Sequence, residues 1–187
     1  MIAEFSNFMD VCGREMLAGL IDTENAQLIS GNGTAPNLTG LLNQSGIQTQ
    51  ARGTDSNIDA LFKGMNLLRT ATFSEPSFVA VHPDNWATVR LSKNSNGDYL
   101  AQDVLSGDPA RLWGYPVVVT TRLGAAGTAL IMNGPLGARV YLREAPVLSV
   151  GTEGNDFIAN KTTLVAEERL ALTCPRPAAV VKVTGLN

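Results

Sequence analysis

The chain has 187 residues, of which 44% are hydrophobic and 17% charged, and its formal net charge is −3. A chain of this length can bury about 70% of its unfolded surface, so one domain or two small intertwined lobes is expected, and the acidic balance argues against nucleic-acid binding as its main business, a local basic patch aside. No apolar run approaches the roughly 18 residues of a membrane helix. The two cysteines, Cys12 and Cys174, have neither zinc spacing nor a disulfide framework and read as buried free thiols, which suits a reducing compartment.

Taken in order, Met1 to about Ser30 reads as one long helix. Phe5, Phe8, Cys12, Met16, Leu20 and Ile21 recur every three or four residues, and Leu17, Leu28 and Ile29 widen the stripe. Gly31-Asn32-Gly33 is a stop signal, expected to supply a left-handed C-cap. A glycine-rich turn can also cradle phosphate, but this one follows a helix and lacks the Lys-Ser/Thr that would complete the motif. Pro36 to Gln50 is turn-rich. Asp55 or Ser56 caps a second helix whose apolar stripe is Ile58, Leu61, Phe62, Met65 and Leu68, a core-packing pattern.

Ser77 to Val81 is a short strand, and His82-Pro83-Asp84 opens a third helix through about Leu91 with Trp86 and Val89 inward. His82 is the only histidine, so Ser-His or Cys-His catalysis would have to use it. Its place at a strand-to-helix junction suits a cap. Asn96-Gly97-Asp98 is a turn, and Asp98 to Pro109 is irregular. Asp103 and Asp108 lack the further oxygen ligands a cation needs. Leu112 to Thr120 is turn then strand, and Ala129 to Met132 is a strand. Leu136 to Arg143 alternates, with Leu136, Ala138, Val140 and Leu142 on one face and Arg139, Tyr141 and Arg143 on the other. Pro146 to Val150 is its shorter partner, and Gly151 to Asp156 a polar turn.

The last stretch, Phe157 to Thr184, reads as a long strand, a Pro-x-Pro break at Pro175 and Pro177, and a second strand over Ala178 to Val183. Period-two alternation puts Thr163, Val165, Glu167, Arg169, Ala171 and Thr173 on one face. Leu164, Ala166, Glu168, Leu170 and Leu172 lie on the other, expected against the core. The order of elements is α+β rather than a regular alternation.

Three pieces carry a resemblance: AEERLALTCPRPAAVVKVTG near the C-terminus, the Gly-x-Pro-valine run at Gly114 to Val119, and LISGNGTAPNLTGLL. Together, in this order, they resemble the major capsid proteins of tailed phages, the Hong Kong 97-type shell fold. The resemblance implies a long spine helix and two lobes: a peripheral lobe from residues 1–50 and 135–175, and an axial lobe from residues 51–134 with a return strand at 176–187. Relatives carry an N-terminal arm and an extended hairpin loop ahead of the spine helix. Neither is seen here, so an N-terminally shortened form is expected.

The function implied is structural: a non-enzymatic subunit forming pentamers and hexamers in an icosahedral virion shell. The shell would enclose DNA without reading it and be assembled in the bacterial cytoplasm, with a scaffold or maturation protease as partners of the intact protein. No cofactor, metal or membrane is implied. Arginine outnumbers lysine ten to four, a bias that suits desolvated interface pairs. One alternative is a nanocompartment shell enclosing a cargo enzyme. Another, of a different class, is a small α+β enzyme, opposed by the poverty of catalytic constellations.

Some members of the resembling family weld subunits by lysine–asparagine isopeptide bonds assisted by a glutamate. The motif carries over onto Asn160 and Glu167. Such chemistry needs a desolvated, neutral amine and a glutamate of raised pKa. In a regular strand these two residues, seven apart, would face opposite ways. The lysine donor lies on the absent loop, and Lys63, Lys93, Lys161 and Lys182 do not match it. The alternative reading is that Glu167, Glu168 and Arg169 serve structure, through ion pairs and hydrogen bonds across subunits or to nearby backbone.

Overall fold

The computed structural model describes residues 2–94, 96–99, 110–124 and 126–187, with side chains from Asp10 onward. Its elements are helix α1 (Ile2–Ser30), strand β1 (Gln48–Ala51), α2 (Asn57–Thr72), β2 (Phe78–Val81), α3 (Pro83–Arg90), β3 (Arg111–Leu112) and β4 (Tyr115–Val119). There follow β5 (Thr128–Met132), a single helical turn α4 (Gly134–Gly137), β6 (Arg139–Gly151), β7 (Thr163–Thr173) and β8 (Val180–Thr184). Six strands form one mixed sheet in the order β1-β8-β5-β2-β4-β3. The hairpin β6–β7 is a separate two-stranded sheet. The architecture is α+β, as the sequence leads one to expect.

Alternation within the six-stranded sheet builds two cores. Val79, Val81, Ala129, Ile131, Val181 and Val183 face α2 and α3, where they meet Leu61, Met65, Leu68 and Val89. Ala80, Leu130, Met132 and Val180 face the other way, onto Leu41, Leu42 and Leu123. A sheet covered on both faces needs apolar residues at successive positions, which is why these strands read as unbroken apolar runs.

The local signals act much as their chemistry requires. Ser56 caps α2 by accepting from the Asp59 N–H at 3.1 Å, while Asp55 pairs with Lys63 at 2.5 Å. His82 caps α3 through Nδ1, which accepts from the Asp84 N–H at 3.3 Å, and Pro83 occupies the first turn. Leu61, Met65 and Leu68 are fully buried. Phe62, expected beside them, is instead 42% exposed and stacks on Trp113, ring centroids 5.0 Å apart. Trp113 and Gly114 join β3 to β4 in a two-residue turn with φ of 48° and 85°. Left-handed backbone at both positions matches the twist of a tight hairpin, and the stacking helps hold the tryptophan there.

Several expectations are corrected. Ile21 is 51% exposed; the half-buried face of α1 runs through Cys12, Met16, Leu17, Leu20 and Glu24. Phe5 and Phe8 lie outside the residues whose side chains are described, and Asp103 and Asp108 outside the described residues altogether. Gly31 does not supply a left-handed cap. A Cβ there would lie 2.3 Å from the Leu38 carbonyl oxygen and 2.5 Å from that of Gln27, so the glycine is demanded by close approach of the following loop. Gly40 meets the same junction from the other side, donating its N–H to the Gly31 carbonyl at 2.8 Å.

Leu136 belongs to α4, whose start Asn133 caps by accepting from the Leu136 N–H at 3.3 Å. The stretch from Arg139 to Gly151 is one strand, not two partners. It passes through Pro146 and pairs along its length with β7. Pro146 is accommodated because register shifts between Leu142 and Glu144 and between Glu144 and Val147 place it in a bulge, where no ladder donor is required. β8 begins at Val180, since Pro177 to Ala179 first make a turn of 3-10 helix.

Replacing Leu61 by alanine is expected to cost about 2–5 kcal/mol of unfolding free energy through the cavity left under α2. Gly31→Ala is expected to cost about 1–3 kcal/mol by forcing two carbonyls aside. Urea titration of both variants checks each value; a neutral Gly31→Ala would show that the loop yields without strain.

Candidate functional site

The β6–β7 hairpin is the part of the molecule that the cores do not explain. β7 alternates strictly, with Leu164, Ala166, Glu168, Leu170 and Leu172 half-buried and the residues between them exposed. The apolar face packs on α1 and not, as expected, on the main core. At its base Leu172 and Cys174, with Ala138, reach the edge of a buried cluster. Gly13 of α1 is buried against the hairpin, and a Cβ there would lie 3.1 Å from Leu148 Cδ2. The hairpin thus lies along the helix with a thin apolar seam and leaves Val140, Tyr141, Leu142, Val147 and Val150 exposed.

Two anchors tie this unit to the sheet. Asp22 on α1 forms an ion pair with Arg122, in the turn after β4. The Cys174 thiol donates to the Gly137 carbonyl at 2.8 Å, and burial raises its pKa. Both cysteines are free and half-buried. Elsewhere Arg69, Glu75 and Tyr115 form a closed triad: Arg69 Nε donates to Glu75 at 2.6 Å, Arg69 Nη2 to the Tyr115 hydroxyl at 2.9 Å, and that hydroxyl to Glu75. Bonds from Tyr115 and then Arg69 lower the Glu75 pKa. Sequence reading missed the triad and the Asp22–Arg122 pair, because the partners are remote in sequence and no local pattern marks them.

The residues singled out from sequence fall at different places on the hairpin. Asn160 is not on the strand. It ends the turn before β7 with φ of 54°, and its N–H donates to the Phe157 carbonyl at 3.4 Å, so strand parity does not relate it to Glu167. Glu167 is exposed on the outer face opposite Val147. Arg169, also outward, pairs with Glu144 across the ladder at 3.2 Å. Glu168 turns inward toward α1, and its pKa is raised, first by burial and then by the negative charge of Glu24. Among the described residues no group of three or more His, Cys, Asp or Glu converges as a metal site would require. The outer face of the hairpin presents exposed apolar side chains.

A long helix cradling a two-stranded hairpin, beside a six-stranded sheet closed by the C-terminal strand, is the capsid fold of tailed phages. Residues 6–185 match the phage capsid family, and the chain belongs to it. It is 31% identical over 172 residues to the major capsid protein of Enterobacteria phage HK97, an alignment covering 90% of this chain and 44% of that protein. The fold is similar to the capsid of an empty GTA particle, with a TM-score of 0.74 and 19% identity over 95% of this chain and 66% of that one. It is also similar to that of Gordonia phage Cozz, with a TM-score of 0.73 and 19% identity over 95% and 63%. The chain therefore spans less than half the length of the curated relative it matches.

The two perturbed carboxylates act on stability in opposite directions. Glu75, lowered in the folded state, contributes stability at neutral pH that is lost as pH falls through its folded pKa. Glu168, raised in the folded state, costs stability above its folded pKa, and that cost disappears as pH falls below its unfolded value. Glu168→Gln is therefore expected to melt higher than the parent at neutral pH, with the gap closing in acid. Calorimetry across that range checks it; a gap independent of pH would mean that Glu168 acts through packing alone.

Proposed function

We propose that this chain is the shell-forming part of a phage major capsid protein, a structural subunit that assembles into an icosahedral head around DNA. The observation that carries the reading is the combination of a closed two-core sheet with a helix-backed hairpin whose apolar outer residues are left uncovered. Patches of this kind mark association sites, and repeated copies of a weak contact become strong in a closed symmetric assembly. The sequence match is to a phage capsid protein, which favours a virion shell over a nanocompartment.

In this reading α1 and the hairpin form the peripheral lobe, and the six-stranded sheet with α2 and α3 forms the axial lobe. The proposed division is residues 1–50 and 135–175 against residues 51–134 and 176–187, and the pairing of β1 with β8 supports counting β1 with the axial lobe. DNA is enclosed without base-specific contact, in keeping with the acidic chain. The subunit is not an enzyme, and a scaffold or maturation protease acts on the intact protein in the host cytoplasm. Asn160 and Glu167 are the candidate acceptor and base for cross-linking in an intact parent. The exposed Glu167 would then be desolvated by a neighbouring subunit. Without a matching donor lysine this chain does not weld itself.

Size exclusion with light scattering, followed by electron micrographs of each peak, tests the reading. Rings of five or six, or closed shells, are the expected outcome at high protein concentration. A strictly monomeric chain that also fails to co-assemble with a full-length relative would overturn it. Denaturing gels of any assembled material should show monomer mass only.

A further inference from the structure

The turn joining β6 to β7 presents two adjacent large apolar side chains to solvent, Phe157 at 84% exposure and Ile158 at 86%. The turn is not a slack loop. Asp156 Oδ2 accepts from the Glu153 N–H at 3.2 Å and from the Thr163 hydroxyl at 2.8 Å. The Lys161 N–H returns to the Asp156 carbonyl at 2.8 Å, and the Ala159 N–H donates to the Asn155 carbonyl at 2.9 Å. A hydrogen-bonded turn thus holds Phe157 and Ile158 outward, where they cost solvation and gain nothing within the chain.

The same hairpin carries a shallow groove of about 360 Å³, lined by Tyr141, Leu142, Arg143, Arg169, Leu170 and Ala171. Its floor is apolar, and on its rim stand Arg143 and Arg169, the latter already paired with Glu144. The turn carries Glu153 and Asp156 on its leading side and Lys161 on its trailing side. Among the described residues neither the Arg143 guanidinium nor the Glu153 carboxylate has a partner within the chain. The tip cannot fill its own groove: Leu142 and Gly151 are separated by β6 itself, a span of roughly 25–30 Å at strand rise.

We infer that the Phe157–Ile158 tip of one copy docks into the Tyr141–Leu142–Leu170 groove of a second copy, with Glu153 meeting Arg143. The contact is heterologous, tip to groove, so each chain offers one of each and copies link in a ring or a continuing array. This inference rests on the self-assembly reading and names the surfaces that would serve it.

The test uses two proteins in a Cys12→Ser, Cys174→Ser background, one bearing Ile158→Cys and the other Leu142→Cys. Both sites are exposed, so neither substitution disturbs a core. Treated with a short bismaleimide, the mixture is expected to give a dimer band about tenfold or more above either protein alone, since docking holds the thiols at a high effective concentration. Glu153→Arg in the first protein should abolish the band, and Arg143→Glu in the second should restore it. Equal bands from Ile158→Cys alone would indicate tip-to-tip contact and overturn the proposal, as would no mixed band. Micrographs of the parent separate the two readings. Shells without a mixed band overturn this contact and leave the shell reading. A mixed band from chains that form neither rings nor shells, alone or with a full-length relative, overturns the shell reading and keeps the contact.

Discussion

The structure depends on the position of β8. This strand enters between β1 and β5, parallel to the first and antiparallel to the second. Val181 and Val183 complete the core under α2, and Val180 completes the core on the opposite face. Without β8 the sheet would split into an isolated β1 and a four-stranded remainder, and both cores would lose a wall. Its end is held as well: the Asn187 N–H donates to Asn57 Oδ1 at 3.3 Å, and Arg52 Nη1 donates to Asn187 Oδ1 at 2.6 Å. The β1–β8 pairing joins Gln48 to Val181, 133 positions apart, and contacts of such high sequence separation form slowly.

Because β5 and β8 are neighbours, everything from α4 through the Pro-x-Pro turn is an excursion between two adjacent antiparallel strands. That excursion is the hairpin. It is tethered at its base by the sheet, along its length by α1, and through α1 by the Asp22–Arg122 pair. A surface pair of this kind contributes only about 0–1 kcal/mol, and the apolar seam is thin. The hairpin and helix are joined to the rest of the molecule at the base of the hairpin and where α1 meets Leu41–Asn43 and Thr121–Leu123, and have no core of their own.

How much of this was legible in the sequence follows from the range of each interaction. Caps and turns are local chemistry, and Ser56, His82-Pro83 and the strand alternation of β7 are placed as their residue types demand. Errors arise where the partner is distant. Gly31 looks like a cap until the Leu38 carbonyl arrives over it. Phe62 continues a core stripe on paper but lies beyond the edge of the sheet, where Trp113 waits. Pro146 looks like a strand break because a bulge is a property of two strands rather than one. The fold class was carried by the resemblance of motifs in order, and no periodicity alone would have yielded it. Among the residues singled out, Arg169 takes an ion-pairing role within the chain, whereas Glu167 has no partner among the described residues.

Glu168 shows why the hairpin surface is better understood through its costs than through its contacts. A carboxylate on the apolar face of a strand, opposed by Glu24 on the helix it packs against, is unfavourable in the isolated subunit. Phe157 and Ile158 at the tip are unfavourable for the opposite reason, being apolar in water. Neither arrangement is explained by folding of the single chain, since a glutamine at position 168 and polar residues at the tip would leave the two cores untouched. Both lie on the one unit that the cores do not lock. If the proposed tip-to-groove contact forms, it buries Phe157 and Ile158 and removes the apolar cost, whereas the cost of Glu168 beside Glu24 belongs to the helix–hairpin seam itself.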